Sequence, residues 1–273
     1  LEILDVSNPG NWSKVGEINL LGPVLDVSVL ADYAYTVNGY QLHIIDVRNP
    51  SNFVEVSSFP KNADSSHIGV ETDGNFAYLN LWTGIQIVNV SDAFHPEELS
   101  STMLSDESGF NGIFDIAISN GHLYAVMEDQ NLRVIDVAEP NQPEMISSIP
   151  IQLFGYGQII MANEYGYLVS GGCNEKECLG SLQIINFTDP FAPNLVTTLN
   201  IPGAKDVVLN DQYAYIISEL CYHTYSSCSS ELWVVDIDNP MHPRQVGALT
   251  VLESYQKIAI GDKFAVLGGD RGL

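Results

Sequence analysis

The chain has 273 residues, 45% of them hydrophobic, which is ample for a folded core. Only 10 Lys and Arg stand against 34 Asp and Glu, a formal net charge of -24, so nucleic acid and anionic membrane surfaces are excluded as partners. No run of 18 apolar residues occurs, so no helical span and no direct membrane insertion are predicted.

Read in chain order, short β-type runs recur and no helical period appears. The first run, LEILDVSNP from Leu1, returns as LHIIDVRNP from Leu42, IQIVNVSDA from Ile85, LRVIDVAEP from Leu132, LQIINFTDP from Leu182 and LWVVDIDNP from Leu232. The starts are 41, 43, 47, 50 and 50 residues apart, the period of propellers, solenoids and arrays. Each full unit holds four runs, as in DVSVL, YAYTV, LHIIDV and VEVSSF from Asp26 onward. Four short strands make a twisted sheet that cannot bury both faces alone, and radial stacking of such sheets gives a propeller. The tail of the third run, Asp or Asn followed four residues later by Pro, is a turn signal that ends the ladder before the outer strand.

The last run, KIAIGDKFAVLGGDRGL, supplies the first two strands of a unit, and Leu1 begins the third. The expected fold is therefore all-β: a single six-bladed β-propeller over residues 1–273, with four-stranded antiparallel blades. The ring is closed by N- and C-terminal strands sharing one blade, built from residues 1–20 and 255–273. The missing initiating Met and leader lead to the expectation of a mature or trimmed segment of a longer precursor.

The pattern L-x-I-[IV]-D-V-x-x-P, preceded by paired strands such as Ala34-Tyr35 and Ala214-Tyr215, resembles the LVIVD-repeat family of bacterial and archaeal surface proteins. The resemblance runs along the whole chain and departs from the pattern at Asn89, Ala93 and Asn186. It implies a secreted or cell-surface propeller and carries no catalytic motif to transfer.

Four Cys fall in two close pairs, Cys173 with Cys178 and Cys221 with Cys228, each in a polar loop. Their spacing and the single nearby His223 favour two disulfides over a zinc site, and hence an oxidising, extracellular or cell-surface location. Three N-x-[ST] sequons, at Asn11, Asn89 and Asn186, are candidate glycosylation sites, although Asn89 and Asn186 also occupy the Asp position of the turn.

Aligning the innermost runs puts Asp26, His67, Asp115, Gln158, Asp206 and Lys257 at their openings. Asp26, His67, Asp115 and Asp206 are then candidate ligands for Ca²⁺ on the propeller axis, against the alternative that these side chains bond backbone in their own blades. No cofactor is required by the sequence. Loops on the face carrying the Cys pairs hold Tyr40, Trp82, Phe110, Phe154, Tyr156 and Tyr222, residue types suited to sugars or protein hot spots, or simply to covering blade ends. No Asp box, G-x-S-x-G, H-E-x-x-H or phosphate-cradling loop occurs.

The expected function is a non-catalytic extracellular binding or assembly module that recognises a protein or glycan through the stapled face. A surface-layer or fibre subunit that self-associates is one alternative, and a metal-dependent hydrolase with its site on the axis is another.

Overall fold

The computed structural model describes residues 1–7, 12–60, 67–105, 111–221, 228–251, 253–261 and 265–269. Every strand pairing given below is antiparallel, as the short turn-linked runs require. Strands β1 (Glu2–Asp5) and β2 (Ser13–Glu17) form a two-stranded sheet. The first four-stranded sheet follows in the order β3 (Asp26–Leu30), β4 (Tyr33–Val37), β5 (Gln41–Asp46), β6 (Val54–Pro60). The next is β7 (Gly69–Thr72), β8 (Phe76–Asn80), β9 (Gly84–Asn89), β10 (Glu97–Met103). The third is β11 (Ile113–Ser119), β12 (His122–Met127), β13 (Asn131–Asp136), β14 (Glu144–Pro150). The fourth is β15 (Gly157–Ala162), β16 (Tyr165–Cys173), β17 (Cys178–Asn186), β18 (Asn194–Asn200). The fifth is β19 (Ala204–Asn210), β20 (Tyr213–Cys221), β21 (Cys228–Asp236), β22 (Arg244–Val251). Strands β23 (Lys257–Ile260) and β24 (Ala265–Gly268) make a second two-stranded sheet. The sequence predicts one shared four-stranded blade from the two end pairs; residues 270–273, which lead into its joining strand, lie outside the described residues.

Packing divides the chain into two compact units, residues 1–123 with 135–144 and residues 124–134 with 145–273, the division running through the third sheet. In the first unit, Tyr35, Val37, Leu42 and Ile44 of one sheet pack face to face with Val70, Ala77, Leu79 and Val88 of the next. In the second unit, Tyr167, Val169, Leu182 and Ile184 meet Val207, Ala214, Ile216 and Val235 in the same way. The third strand of a unit is covered on both sides, so Leu42, His43, Ile44 and Ile45 are all buried. That double burial is why the repeat reads as a nearly continuous apolar run, each large aliphatic contributing about 1.5–3 kcal/mol.

The turn signal works as expected. Asp46, Asp136 and Asp236 accept the backbone N–H two residues on, from Arg48, Ala138 and Asp238, at 3.1, 2.9 and 3.1 Å. Asn89 and Asn186 do the same for Ser91 and Thr188, at 3.0 and 2.7 Å. The amide oxygen suffices for this turn, so the exchange of Asp for Asn leaves the period intact.

The outer strands carry a second repeated device that periodicity alone did not disclose. A β-bulge interrupts β6, β10, β18 and β22 at equivalent places. Beside the bulges of β6 and β10, Ser57 Oγ donates to the Ala93 carbonyl and Ser100 Oγ to the Pro140 carbonyl at 2.6 Å, and on outer strand β14 Ser147 Oγ donates to the Pro190 carbonyl at 2.6 Å. Each turn carbonyl is thus tied to the outer strand of the preceding sheet. Replacement of Ser100 by Ala should cost about 1 kcal/mol in urea unfolding, the usual worth of one hydrogen bond, with no change in m-value.

Val70 and Val207 are buried against the preceding sheet, whereas the corresponding Val27 on β3 is 46% exposed and Val29 beside it is 61% exposed.

Candidate functional site

Strand register fixes which residue opens each inner strand. Asp26 lies opposite Val37, Gly69 opposite Asn80, Gln158 opposite Val169, Asp206 opposite Ile217 and Lys257 opposite Gly268. The second four-stranded sheet therefore contributes Gly69, and His67, expected in that place, lies two residues earlier. A slip of two residues preserves strand alternation, so the hydrophobic pattern gave no warning of it. His67 is buried with its Nε2 2.9 Å from Gln86 Oε1. Asp115 is half-buried on β11.

The acceptors at this position bond backbone, though across sheets as well as within them. Asp26 Oδ1 accepts its neighbour Val27 N–H and its Oδ2 accepts Val70 N–H on the next inner strand, both at 2.9 Å. Asp206 accepts Val207 N–H at 3.1 Å and Ile258 N–H at 2.8 Å. Gln158 Oε1 reaches Val207 N–H at 3.2 Å. These side chains clasp consecutive inner strands, which corrects the expectation of bonding confined to one blade. A Cβ at Gly69 would lie 3.3 Å from Asn80 Cβ and 3.5 Å from Asp26 Oδ2, so the clasp passes close beside this position. Burial pushes the Asp206 carboxyl up, while Lys257 Nζ at 4.0 Å and the donated N–H groups oppose the rise.

Glu71 on β7 was not singled out by sequence reasoning. It stands opposite Tyr78, where the equivalent residues opposite Tyr35, Tyr167 and Tyr215 are Ser28, Ile160 and Val208. An acid at a position otherwise small or apolar was the available signal, hidden by the misplaced register. Burial first, and the nearby Asp26 carboxylate second, push the Glu71 carboxyl up to about 7. It is thus divided between acid and base near neutral pH, as proton transfer requires.

Both disulfides are present, Cys173–Cys178 joining β16 to β17 and Cys221–Cys228 joining β20 to β21. Each closes the end of a hairpin whose Cys residues are register partners. The two hairpin ends meet, with Cys173 Sγ 3.5 Å from the Cys221 backbone nitrogen. Disulfides persist in an oxidising environment. Among the described residues, the metal-capable side chains that converge are Glu219, Cys221 and Cys228, and both sulfurs are spent in the bond. Opening the Cys173–Cys178 link, by replacing both residues with Ser, should cost about 2 kcal/mol in denaturant unfolding on the chain-entropy account of so short a loop.

Tyr40 and Tyr156 are 62% and 73% exposed. Trp82 adopts a positive φ of 72°, and its ring meets Phe114 edge-on with centroids 6.4 Å apart. Phe154 is half-buried, its backbone N–H bonded to Ser170 Oγ at 2.8 Å. Phe110, Tyr222 and the sequon at Asn11 lie outside the described residues.

Four-stranded antiparallel sheets built on one repeated unit and stacked face to face make this a β-propeller-like repeat protein. The LVIVD-repeat model matches residues 21–60, 67–103, 114–150 and 226–251, about half the chain. The chain belongs to the LVIVD-repeat family.

No curated protein matches the sequence. Among solved structures, the chain is similar to a putative 6-phosphogluconolactonase from Bacteroides uniformis, with TM-score 0.74, 12% identity, and coverage of 95% of this chain and 81% of that one. A protein from Lactobacillus plantarum matches with TM-score 0.74 and 10% identity over 98% of this chain and 83% of that one. A periplasmic gluconolactonase from Pseudomonas aeruginosa matches with TM-score 0.63 and 12% identity over 89% and 74%. At such identities the likeness speaks for the fold.

These neighbours correct the expectation of a non-catalytic binding or assembly module. That expectation rested on missing contiguous motifs, yet two neighbours of this architecture are named as lactonases. A propeller can gather reacting groups from strands far apart in sequence, which no linear motif records.

Proposed function

We propose that this protein is an extracytoplasmic hydrolase of cyclic esters, a lactonase, with Glu71 as its general acid–base. The observation that carries this reading is the Glu71 carboxyl on inner strand β7, poised at about 7 by burial and by Asp26. The lactonase names among the fold's neighbours supply the reaction class. In the proposed step, ionised Glu71 takes a proton from water as the water oxygen bonds to the lactone carbonyl carbon. The tetrahedral adduct then expels the ring oxygen, which takes that proton back from Glu71 as the ring C–O bond breaks, giving the open hydroxy acid and ionised Glu71. The test is acid release from D-glucono-1,5-lactone by the purified chain, followed in a pH-stat against the spontaneous rate. A rate no greater than that blank removes the reading.

The proposal extends to the architecture: six blades, the sixth completed by β23–β24 as inner pair and β1–β2 as outer pair. Packing of Leu1, Ile3, Ile18 and Leu20 against Ala34, Ile45 and Phe53 supports the place given to β1–β2, on the flank of the first four-stranded sheet. It extends also to a secreted or cell-surface location, in keeping with the two disulfides, and to glycans on the Asn89 and Asn186 turns, to be read by mass spectrometry. No cofactor is required; Ca²⁺ would be an optional ligand of the inner-strand carboxylates, using lone pairs that Asp26 and Asp206 do not commit to backbone. Nucleic acid is no partner, on grounds of charge.

A further inference from the structure

We infer that the substrate is an uncharged lactone and that phosphorylated lactones are rejected; this rests on the lactonase reading above. A phosphomonoester carries about -1.5 to -2 charges at neutral pH, and its recognition draws on Arg, Lys or an array of backbone N–H groups. The chain carries a formal charge of -24 and only 10 Lys and Arg, of which Lys61, Lys263 and Arg271 lie outside the described residues.

Six of the seven described cations already face carboxylates. Lys14 pairs with Glu2 at 3.3 Å and with Glu17, and Arg48 pairs with Asp46. Arg133 pairs with Asp129 at 2.6 Å, Lys205 with Glu219 at 3.5 Å, and Arg244 with Asp236 at 3.1 Å. Lys257, the cation at the opening of an inner strand, lies 4.0 Å from buried Asp206. The seventh, Lys176, stands between Glu175 and Glu177 at the tip of the Cys173–Cys178 hairpin.

A phosphate approaching any of the six competes with the carboxylate beside it, and on Lys176 it meets two flanking ones. The candidate base, Glu71, adds another negative charge once ionised, beside Asp26. An uncharged polyol lactone meets none of this opposition, and carboxylates and amides are good partners for its hydroxyls.

The experiment compares kcat/KM for D-glucono-1,5-lactone and its 6-phosphate on the intact chain, at 20 and 500 mM NaCl. The expected result is at least a tenfold preference for the uncharged lactone at low salt. Added salt should narrow that preference by raising only the phosphorylated rate, because screening relieves repulsion of the anion alone. Equal rates or a preference for the 6-phosphate overturn this inference and leave the lactonase reading standing. Hydrolysis of neither compound overturns the lactonase reading and this inference with it.

Discussion

Replacing Glu71 by Gln is expected to lower kcat for lactone opening by about 10²- to 10⁴-fold, the usual contribution of a positioned acid–base group. Gln is close to Glu in size and keeps a hydrogen-bonding head, but it cannot take a proton from water. The wild-type kcat/KM should rise with pH and level off above about 7, because the ionised carboxyl is the competent form and burial with Asp26 holds its midpoint there. The variant should lose that inflection together with the rate. A Glu71→Gln protein that keeps both the rate and the inflection shows that another group moves the proton, whatever the fate of the lactonase reading.

The second large effect concerns stability and does not depend on catalysis. Glu71 has a pKa of about 7 in the folded chain against an ordinary value of 4.5. Below pH 4.5 both folded and unfolded states hold the proton, and the folded chain pays no ionisation penalty. As pH rises from 4.5 towards 7, the unfolded state ionises first, so stability falls; above 7 the loss is complete. The loss amounts to roughly 3 kcal/mol, at about 1.4 kcal/mol per pH unit of displacement.

The net charge of -24 pushes the same way, because self-repulsion also eases in acid. The Glu71→Gln variant separates the two contributions. It should match the wild type near pH 4 and exceed it by up to about 3 kcal/mol at pH 8, in urea unfolding measured across that range. Parallel curves for the two proteins would show that Glu71 ionises as freely in the folded state as in the unfolded one.

Much of this protein is legible along the chain, because each repeat states its own local physics. The Asp or Asn turn at positions 46, 89, 136, 186 and 236 depends on one side-chain oxygen and an N–H two residues away. The strand pattern depends on alternation, and the near-continuous apolar third strand on burial of both faces. The Cys pairs were readable because each closes a single hairpin, with no distant partner to choose between.

What sequence alone could not decide depends on which strands meet. The inner-strand register moved the opening residue of the second four-stranded sheet from His67 to Gly69, and a two-residue slip is invisible to any alternating pattern. Only the packed sheets showed that Asp26 and Asp206 reach the N–H of the following inner strand, and that Ser100 and Ser147 hold carbonyls of the following turn. Glu71 is an ordinary acid in a strand until tertiary structure removes its water and sets Asp26 near it. Composition and period therefore determined the repeat, the turns, the disulfides and the acidic surface, all local or additive properties. The shifted pKa and the cross-sheet clasps arise from desolvation and proximity between segments distant in sequence, and those exist only once the sheets have packed.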